Sequence, residues 1–247
     1  VDNTGSGSAF PSWRDGVYLS SDEIYDSSDI LINNFIWSQV VPNSSSYTQS
    51  RSITIPKVVA QNSFLLIRAD YANALFESNE NDNVISAAIE IKNPDLSPIE
   101  LIAPETASTQ NSIKVSWVGK NQGLGDANPT WNDTFYLSLD GTLDASDTVL
   151  SSFTINQKVI ADSTYNQTQT VPIPKLPGGT YYLILKLNSN NGLFEPNNTN
   201  NVISTPIRLD LADLKLASAT SPLVASINQQ VEIGWTVNNI GSGTATP

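Results

Sequence analysis

The chain has 247 residues, with 12 Lys and Arg against 24 Asp and Glu, which gives a net charge of −12. This length accommodates two domains, and the hydrophobic share of 39% is enough for packed cores. The acidic balance argues against a nucleic-acid partner, which requires a basic surface, and against binding to anionic membranes. No apolar run approaches the roughly 20 residues of a membrane helix, so we expect no membrane insertion.

The amino-acid composition also limits the kinds of metal site and catalytic site that the chain can form, because it contains no Cys, no His and no Met. Without Cys there is neither a disulfide nor thiol chemistry. Without His or Cys a zinc or copper site is not expected, whereas hard cations with oxygen ligands remain open. No His is available to activate a Ser nucleophile. We therefore expect a protein that is not an enzyme.

Two segments of the chain repeat each other at an offset of 118 residues, from Trp13 to Trp131. The sequence WRDGVYLSSDEIYDSSD occupies residues 13–29, and WNDTFYLSLDGTLDASD occupies residues 131–147. The same offset relates Tyr47 to Tyr165 without a gap, and residues 237–247 match residues 1–11. A repeat of this length has the size of a whole domain rather than of a solenoid unit. We therefore predict tandem domains with a gapless period of 118 residues.

Short runs rich in Val, Ile, Thr and aromatic residues alternate with Gly and Pro along the chain. Their alternation of apolar and polar residues predicts half-buried strands. No segment carries a helical apolar stripe, which excludes parallel α/β folds with crossover helices. The most complete copy has seven predicted strands: 96–101, 112–118, 134–139, 148–155, 167–173, 180–187 and 202–209. This all-β pattern is typical of an immunoglobulin-like or fibronectin-III-like β-sandwich.

The repeat pattern also predicts the domain boundaries. Residues 94–211 form one complete β-sandwich, residues 1–93 form a repeat without its first two strands, and residues 212–247 supply the first two strands of a third repeat. Because Val1 lies in the middle of the repeat pattern, we expect the chain to be a fragment of a longer array. Linkers of only a residue or two predict a stiff chain of modules.

Several motifs suggest a family. Two recur in both copies: W-x-D-x-x-Y-L-S-x-D-x-x-x-D-x-x-D at 131–147 and 13–29, and an E-x-N segment ending in N-V at 195–202 and 77–84. A third, G-x-Y-Y-L at 179–183, occurs in the second copy, and the first copy departs from it with NSFL at 62–65. This set resembles the bacterial cell-adhesion-related domain, a tandem immunoglobulin-like module of large secreted and surface proteins. The resemblance implies an extracellular or cell-surface location and an adhesive or structural role, and it names no ligand.

The acidic loop of each repeat is the first candidate site. It carries three carboxylates in the spacing D-x-x-x-D-x-x-D, which belong to Asp22, Asp26 and Asp29 in one copy and to Asp140, Asp144 and Asp147 in the other. Closely spaced carboxylates repel one another unless a cation or solvent separates them, and calcium prefers six to eight oxygen ligands. Asp side chains also form turns by accepting local backbone N–H groups. Calcium is the candidate cofactor, and turn formation is the alternative.

A second set of oxygen ligands lies between the last two predicted strands of each repeat. Asn tolerates left-handed backbone and favours turns, so the alternative is a hairpin loop without a ligand. The candidate residues of this second tier are Glu77, Asn79, Asn83, Glu195, Asn197 and Asn201.

The tryptophans divide by their place in the pattern. Trp117 and Trp235 alternate with apolar residues, which predicts core positions, and Trp13 and Trp131 are expected to cap the end of a sandwich. Trp37 has no Trp counterpart in the second copy. If its ring were exposed it would be able to stack on a sugar, which is the basis of the alternative function, a carbohydrate-binding accessory module with surface glycans as partners.

The leading hypothesis is a structural and adhesive segment of a long extracellular bacterial repeat protein. Its expected partners are neighbouring repeats of the same protein or other copies of it. The C-terminal strands, 214–216 and 231–237, match those that residues 1–93 do not contain. One hypothesis is therefore that the C-terminal strands of one chain fill the gap in the next and build a head-to-tail filament. Against this, direct exchange would make residues 237–247 redundant with residues 1–11. The alternative is that neighbouring units of the same polypeptide cover the two incomplete ends of the chain.

Overall fold

The structure is a computed structural model that describes residues 1–59, 61–128 and 130–245. The described residues contain strands, turns and bends but no helix, so the all-β prediction is confirmed. Accordingly, none of them forms a helix of the length and apolar character needed to cross a membrane. The chain divides into two compact units, Val1–Lys92 (unit 1) and Asn93–Pro247 (unit 2). The last two residues of the predicted third repeat, 246 and 247, lie outside the described residues.

Unit 1 is built on one antiparallel sheet with the strand order β2-β1-β3-β4. Short runs rich in Ile, Leu, Val and aromatic residues favour the extended conformation in these strands, and a bulge interrupts the pairing of β1 with β2 between Val17 and Tyr18. The strands are β1 (Trp13–Ser20), β2 (Ile30–Trp37), β3 (Gln61–Arg68) and β4 (Val84–Ile91).

Unit 2 contains two sheets that pack face to face. One has the order β10-β7-β5 and the other the order β6-β12-β11-β8-β9. The strands are β5 (Leu96–Ile102), β6 (Thr106–Ser108), β7 (Ser112–Asn121), β8 (Trp131–Ser138), β9 (Thr148–Ile155), β10 (Thr164–Pro172), β11 (Gly179–Lys186) and β12 (Val202–Asp210). All seven predicted strands of this region are present. The three-residue strand β6 was not predicted, because it is too short to show a period and it pairs in parallel with the distant β12.

The core of unit 2 lies between its two sheets. Trp117 of β7 meets Phe135 of β8 edge to face, with ring centroids 5.2 Å apart. Trp117 is only 1% exposed, which confirms its predicted core position. Val115 and Ile113, which alternate with Trp117 along β7, are buried with it. The apolar stripe of β7 therefore faces the inner side of the larger sheet, as the period of two requires.

A two-stranded hairpin follows β12 within unit 2. Its strands are β13 (Leu214–Thr220) and β14 (Gly234–Asn239). Leu214 pairs with Asn239, and the register shifts once, between Leu216 and Ser218. At an offset of 118 residues, β5 and β7 show the same register and the same shift, with Leu96 opposite Asn121. The two hairpins therefore share one pairing pattern.

The predicted core position of Trp235 is wrong in this structure. Trp235 is 64% exposed although its counterpart Trp117 is buried. The reason is that β13 and β14 form a sheet of their own, and among the described residues 130–245 no second sheet covers it. The alternating pattern places the Trp on the apolar face of the hairpin, but only an opposing sheet buries it.

Candidate functional site

The acidic loop between β8 and β9 is held by its own carboxylates. The Oδ1 atom of Asp140 accepts a hydrogen bond from the backbone N–H of Thr142 at 2.9 Å. Asp144 Oδ1 accepts from both the backbone N–H and the hydroxyl of Ser146, each at 2.7 Å. Asp147 Oδ2 in turn accepts from the backbone N–H of Asp144 at 2.9 Å. Each Asp thus closes a local turn, as short acidic side chains do.

The loop between β1 and β2 repeats these contacts. Asp22 accepts from the backbone N–H of Ile24 at 2.8 Å, and Asp26 accepts from the backbone N–H and the hydroxyl of Ser28 at 2.7 and 2.6 Å. Asp29 accepts from the backbone N–H of Asp26 at 2.9 Å. The two loops therefore share one geometry of local hydrogen bonds.

These hydrogen bonds have an electrostatic consequence. The Ser146 hydroxyl and then its N–H hold the pKa of Asp144 below the ordinary value, and Ser28 does the same for the pKa of Asp26. Both carboxylates are charged and exposed at neutral pH. Within residues 1–59, 61–128 and 130–245, however, no three Asp, Glu, His or Cys side chains gather into a metal-binding group. The observed geometry is that of turns, and calcium binding stays a prediction.

The second-tier residue Glu195 is buried in unit 2 and makes three hydrogen bonds. Its Oε1 atom accepts from the backbone N–H of Leu96, the first residue of β5. Its Oε2 atom accepts from the side-chain amides of Asn188 and Asn201, at 2.5 and 2.9 Å. Burial raises the pKa of Glu195, and the bond from Leu96 is the largest opposing effect. This carboxylate fastens the first strand of the unit to the loop between β11 and β12.

The remaining second-tier residues have separate surroundings. In unit 1, Glu77 Oε2 accepts from the side-chain amide of Asn83 at 2.7 Å, and partial burial raises the pKa of Glu77. Asn79 accepts from the backbone N–H of Asn81 at 3.1 Å, and Asn197 accepts from the backbone N–H of Thr199 at the same distance. The structure therefore pairs Glu77 with Asn83 and Glu195 with Asn201, and it uses Asn79 and Asn197 to form local turns.

The most deeply buried acid, Asp133, was not among the predicted residues. Its side chain is 0% exposed. Its Oδ2 atom accepts from the indole N–H of Trp117 at 2.9 Å and from the hydroxyl of Tyr165 at 2.7 Å. Its Oδ1 atom accepts from the indole N–H of Trp131 at 3.1 Å and from the backbone N–H of Asn188 at 3.3 Å. Burial raises the pKa of Asp133, and the four donors, Tyr165 first, oppose that rise.

This carboxylate joins the two sheets of unit 2. Asp133 lies on β8 in the five-stranded sheet, whereas Trp117 and Tyr165 lie on β7 and β10 in the three-stranded sheet. A buried carboxylate with all its donors in place is costly to disturb, because loss of one partner leaves a polar group unpaired. The sequence signal that points to it is the W-x-D motif, which occurs in both units and whose Asp lies 32 residues before a Tyr in each.

Asp15 is the counterpart of Asp133 in unit 1, and its donors differ. The Tyr47 hydroxyl lies 2.9 Å from both carboxylate oxygens, and the side-chain amide of Gln49 donates to Oδ2 at 2.8 Å. The backbone N–H of Asp70 donates to Oδ1 at 3.3 Å. The indole of Trp13 reaches the Tyr47 hydroxyl, at 3.1 Å, rather than the carboxylate. Trp13 and Trp131 are therefore both buried beside the buried acid of their own unit.

Trp37 does not present a free ring. It stacks on Tyr47, with ring centroids 4.2 Å apart and an angle of 26° between the planes. The side chain is half-buried. One face of the ring is thus already covered, which reduces the surface that a sugar would need.

The comparisons with known proteins concern mainly unit 2. Residues 93–205 match the CARDB family model. This range begins at the first residue of unit 2 and ends within β12. For this region the match confirms the resemblance to the cell-adhesion-related domain. The rest of the chain lies outside the matched range, so the tandem arrangement stays a prediction. No match to this chain is found among curated proteins.

Three solved structures illustrate what the chain is similar to. The CARDB domain of a Pyrococcus furiosus protein, crystallised in complex with di-metal ions, is 18% identical, with 48% of this chain and 96% of that chain covered and a TM-score of 0.37. Residues 272–376 of a Methanosarcina acetivorans protein, described as a candidate cell surface protein, are 22% identical, with coverages of 47% and 92% and a TM-score of 0.34. A β-glucosidase from Listeria innocua with bound glucose is 11% identical, with coverages of 55% and 19% and a TM-score of 0.32.

Proposed function

We propose that the chain is a non-enzymatic structural and adhesive segment of a long extracellular repeat protein, built from immunoglobulin-like sandwich units with a period of 118 residues. The observation that carries the proposal is the buried carboxylate, found as Asp133 in unit 2 and as Asp15 in unit 1 on equivalent strands. The CARDB match of residues 93–205 supports it as well. A residue that serves packing in every unit is what a modular array needs.

The hydrogen bonds of unit 2 suit a module that transmits a pull along the chain. Asp133 joins the two sheets, and Glu195 holds the N-terminal end of β5. A pull on the start of the unit would act first on β5. The bond from Leu96 to Glu195 and the pairing of β5 with β7 both resist that pull. A structural segment therefore has a physical basis in these contacts.

The acidic side chains support a non-catalytic role. Asp133 and Glu195 are buried, and each accepts several hydrogen bonds. The exposed acids Asp140 and Asp144 and the half-buried Asp147 accept local hydrogen bonds within one turn. General acid–base catalysis needs a carboxyl group within reach of a bound substrate. These groups are used for packing and turn formation instead.

The proposal also includes calcium binding at the two acidic loops. Its support is a set of exposed carboxylates, hydroxyls and carbonyls, which are the oxygen ligands that calcium prefers. Binding would require the carboxylates of Asp140, Asp144 and Asp147 to turn from their backbone partners toward one ion. The carbohydrate-binding alternative has less support, because Trp37 is half-buried against Tyr47.

The test of the proposed function is surface labelling of intact cells that produce the parent protein. An antibody raised against unit 2 should bind unbroken cells or the secreted fraction, and protease treatment of those cells should remove the signal. A control antibody against an internal protein should bind only after lysis. Detection of unit 2 solely inside lysed cells would overturn the proposal.

A further inference from the structure

The loop between β11 and β12 contains the sequence Asn197-Asn198-Thr199. An Asn followed two residues later by Ser or Thr, with no Pro between them, is the acceptor pattern for N-linked sugars in secreted proteins. All three side chains are exposed, and no strand includes them. A glycosyltransferase has to reach the whole acceptor segment, and this segment is accessible in the folded unit.

The same pattern begins at three other residues, Asn43, Asn132 and Asn166. Asn132 and Asn166 lie in strands β8 and β10, where backbone pairing with neighbouring strands occupies the segment. The hydroxyl groups two residues further on, in Thr134 and Thr168, lie 2.9 and 2.8 Å from serine hydroxyls of adjacent strands. These two segments are therefore less accessible to an enzyme than the loop is.

Two hydrogen bonds hold Thr199 against the side chain of Asn197. The Oδ1 atom of Asn197 accepts from the backbone N–H of Thr199 at 3.1 Å and from its hydroxyl at 2.7 Å. Donors on an amide oxygen make the amide N–H more acidic, because they stabilise the negative charge that remains when the proton leaves. At Asn43, in contrast, the N–H of Ser45 donates to the backbone carbonyl of Pro42. Asn197 is thus the best prepared of the four acceptors to react at nitrogen.

The amide nitrogen of Asn197 is available, whereas the base of its loop is held by hydrogen bonds. Within residues 1–59, 61–128 and 130–245, no acceptor receives a hydrogen bond from Nδ2 of Asn197. Two residues before it, the buried Glu195 accepts the backbone N–H of Leu96. Three residues after it, Asn200 donates to Asp95 at 2.8 Å. The tip of the loop therefore presents its acceptor while the unit stays folded.

Unit 1 contains the equivalent loop without the hydroxyl group. Asn79 is the counterpart of Asn197 at the offset of 118 residues, and its side chain also accepts the backbone N–H two residues further on, at 3.1 Å. That second residue is Asn81, where unit 2 has Thr199. Both Asn79 and Asn81 are exposed. The two loops therefore share one local turn and differ in the hydroxyl that the acceptor pattern requires.

We propose that Asn197 is an N-glycosylation site, with a glycosyl diphosphate as the sugar donor and a transferase of secreted proteins as the enzyme. Nδ2 of Asn197 forms a bond to C1 of the sugar. The bond between C1 and the diphosphate oxygen breaks, its electron pair leaves with the diphosphate, and the amide proton passes to a basic group of the transferase. The inference rests on the proposed extracellular location and adds a covalent modification to it.

The experiment isolates the parent protein from the cells that produce it and analyses its peptides by mass spectrometry. The peptide that contains Asn197 should carry the mass of a sugar, and fragmentation should locate that mass on Asn197. The peptide that contains Asn79 should be unmodified. Thr199→Ala should abolish the modification, whereas Thr199→Ser, which keeps a hydroxyl group, should retain it. An unmodified Asn197 in the secreted or surface fraction would overturn the proposal.

The equivalent loop of unit 1 provides a second measurement. Asn81→Thr supplies the missing hydroxyl, so this variant should gain a sugar on Asn79 and keep the one on Asn197. A sugar that persists in Thr199→Ala, or an Asn79 that stays unmodified in Asn81→Thr, would contradict the role of the hydroxyl and overturn the proposal. Surface labelling of the same cells is read separately, so an unmodified Asn197 in a labelled protein would leave the proposed function standing.

Discussion

Residues 46–54 and 164–172 share a sequence pattern but differ in structure. Residues 164–172 form strand β10, which pairs with β7 along its whole length. Residues 46–54 form no strand beyond the isolated bridge of Ser46 with Asp2. Both segments nevertheless place a Tyr hydroxyl on the buried carboxylate of their unit, Tyr165 on Asp133 and Tyr47 on Asp15. The side-chain anchor is thus local to each unit, whereas the strand itself requires a neighbouring strand for its backbone hydrogen bonds.

The two hairpins have the same strand pairing but differ in burial. The β5–β7 and β13–β14 pairs have one register and one bulge, yet Trp117 is buried and Trp235 is exposed. Pairing between adjacent strands is therefore independent of burial here. Burial depends on whether a second sheet covers the apolar face.

The largest expected difference in stability is between substitutions of the two equivalent tryptophans, Trp117 and Trp235. Trp117→Ala should lower the free energy of unfolding of unit 2 by about 3 to 5 kcal/mol, the range for deletion of a buried large aromatic side chain. Trp235→Ala should change it by less than about 0.5 kcal/mol, as is usual at exposed positions. Denaturant titration of both variants measures the difference. Equal losses would show that the hairpin is covered in solution.

Removal of the buried carboxylate should cause the next largest loss of stability. Asp133→Ala leaves two indole N–H groups and the Tyr165 hydroxyl without their acceptor, and each orphaned donor costs roughly 1 to 3 kcal/mol. We expect a loss of about 3 kcal/mol in unit 2. Asp15→Ala, which removes an acceptor from donors that include the more adaptable Gln49, should cost less in unit 1. If Asp133→Ala left the thermal unfolding of unit 2 unchanged, the carboxylate would not be essential to packing.

The calcium prediction sharpens the comparison of the two acidic loops. If Asp140, Asp144 and Asp147 bind calcium, a concentration one hundred times the dissociation constant should stabilise unit 2 by about 2.7 kcal/mol. EDTA should then lower Tm, and Asp144→Ala should abolish the difference between calcium and EDTA. Asp26→Ala tests unit 1 in the same way. Identical melting in calcium and in EDTA would leave these residues as turn formers alone.

The smallest expected effect concerns pH. Burial raises the pKa of Glu195 in the folded state above its ordinary value, so between these two values the folded state binds more protons than the unfolded state. The contribution of Glu195 to stability therefore falls as pH rises through that window and is favourable below it. Glu195→Gln should remove this component of the slope of unfolding free energy against pH in unit 2. The exposed Glu105→Gln serves as the control, and an unchanged slope in Glu195→Gln would contradict the assignment.

Most of the strand positions in unit 2 were predictable from local alternation. The predicted strand at 148–155 coincides with β9, and those at 112–118 and 202–209 lie within β7 and β12. The acidic loops were predicted as calcium sites or turns, and their local hydrogen bonds follow from spacings of two or three residues. The buried acid Asp133 was missed, because three of its donors come from strands or loops 16 to 55 residues away in sequence.

The sequence by itself determined the all-β class and most strand positions of unit 2, because apolar patterning and turn-forming residues act over a few neighbours. The tertiary structure alone decided which of those faces are buried. It also decided that Asp133 and Asp15 lie in the interior and that residues 46–54 do not form the strand found at 164–172. The physical reason is that burial and backbone pairing both need a partner distant in sequence, so segments with similar sequence patterns but different partners adopt different structures.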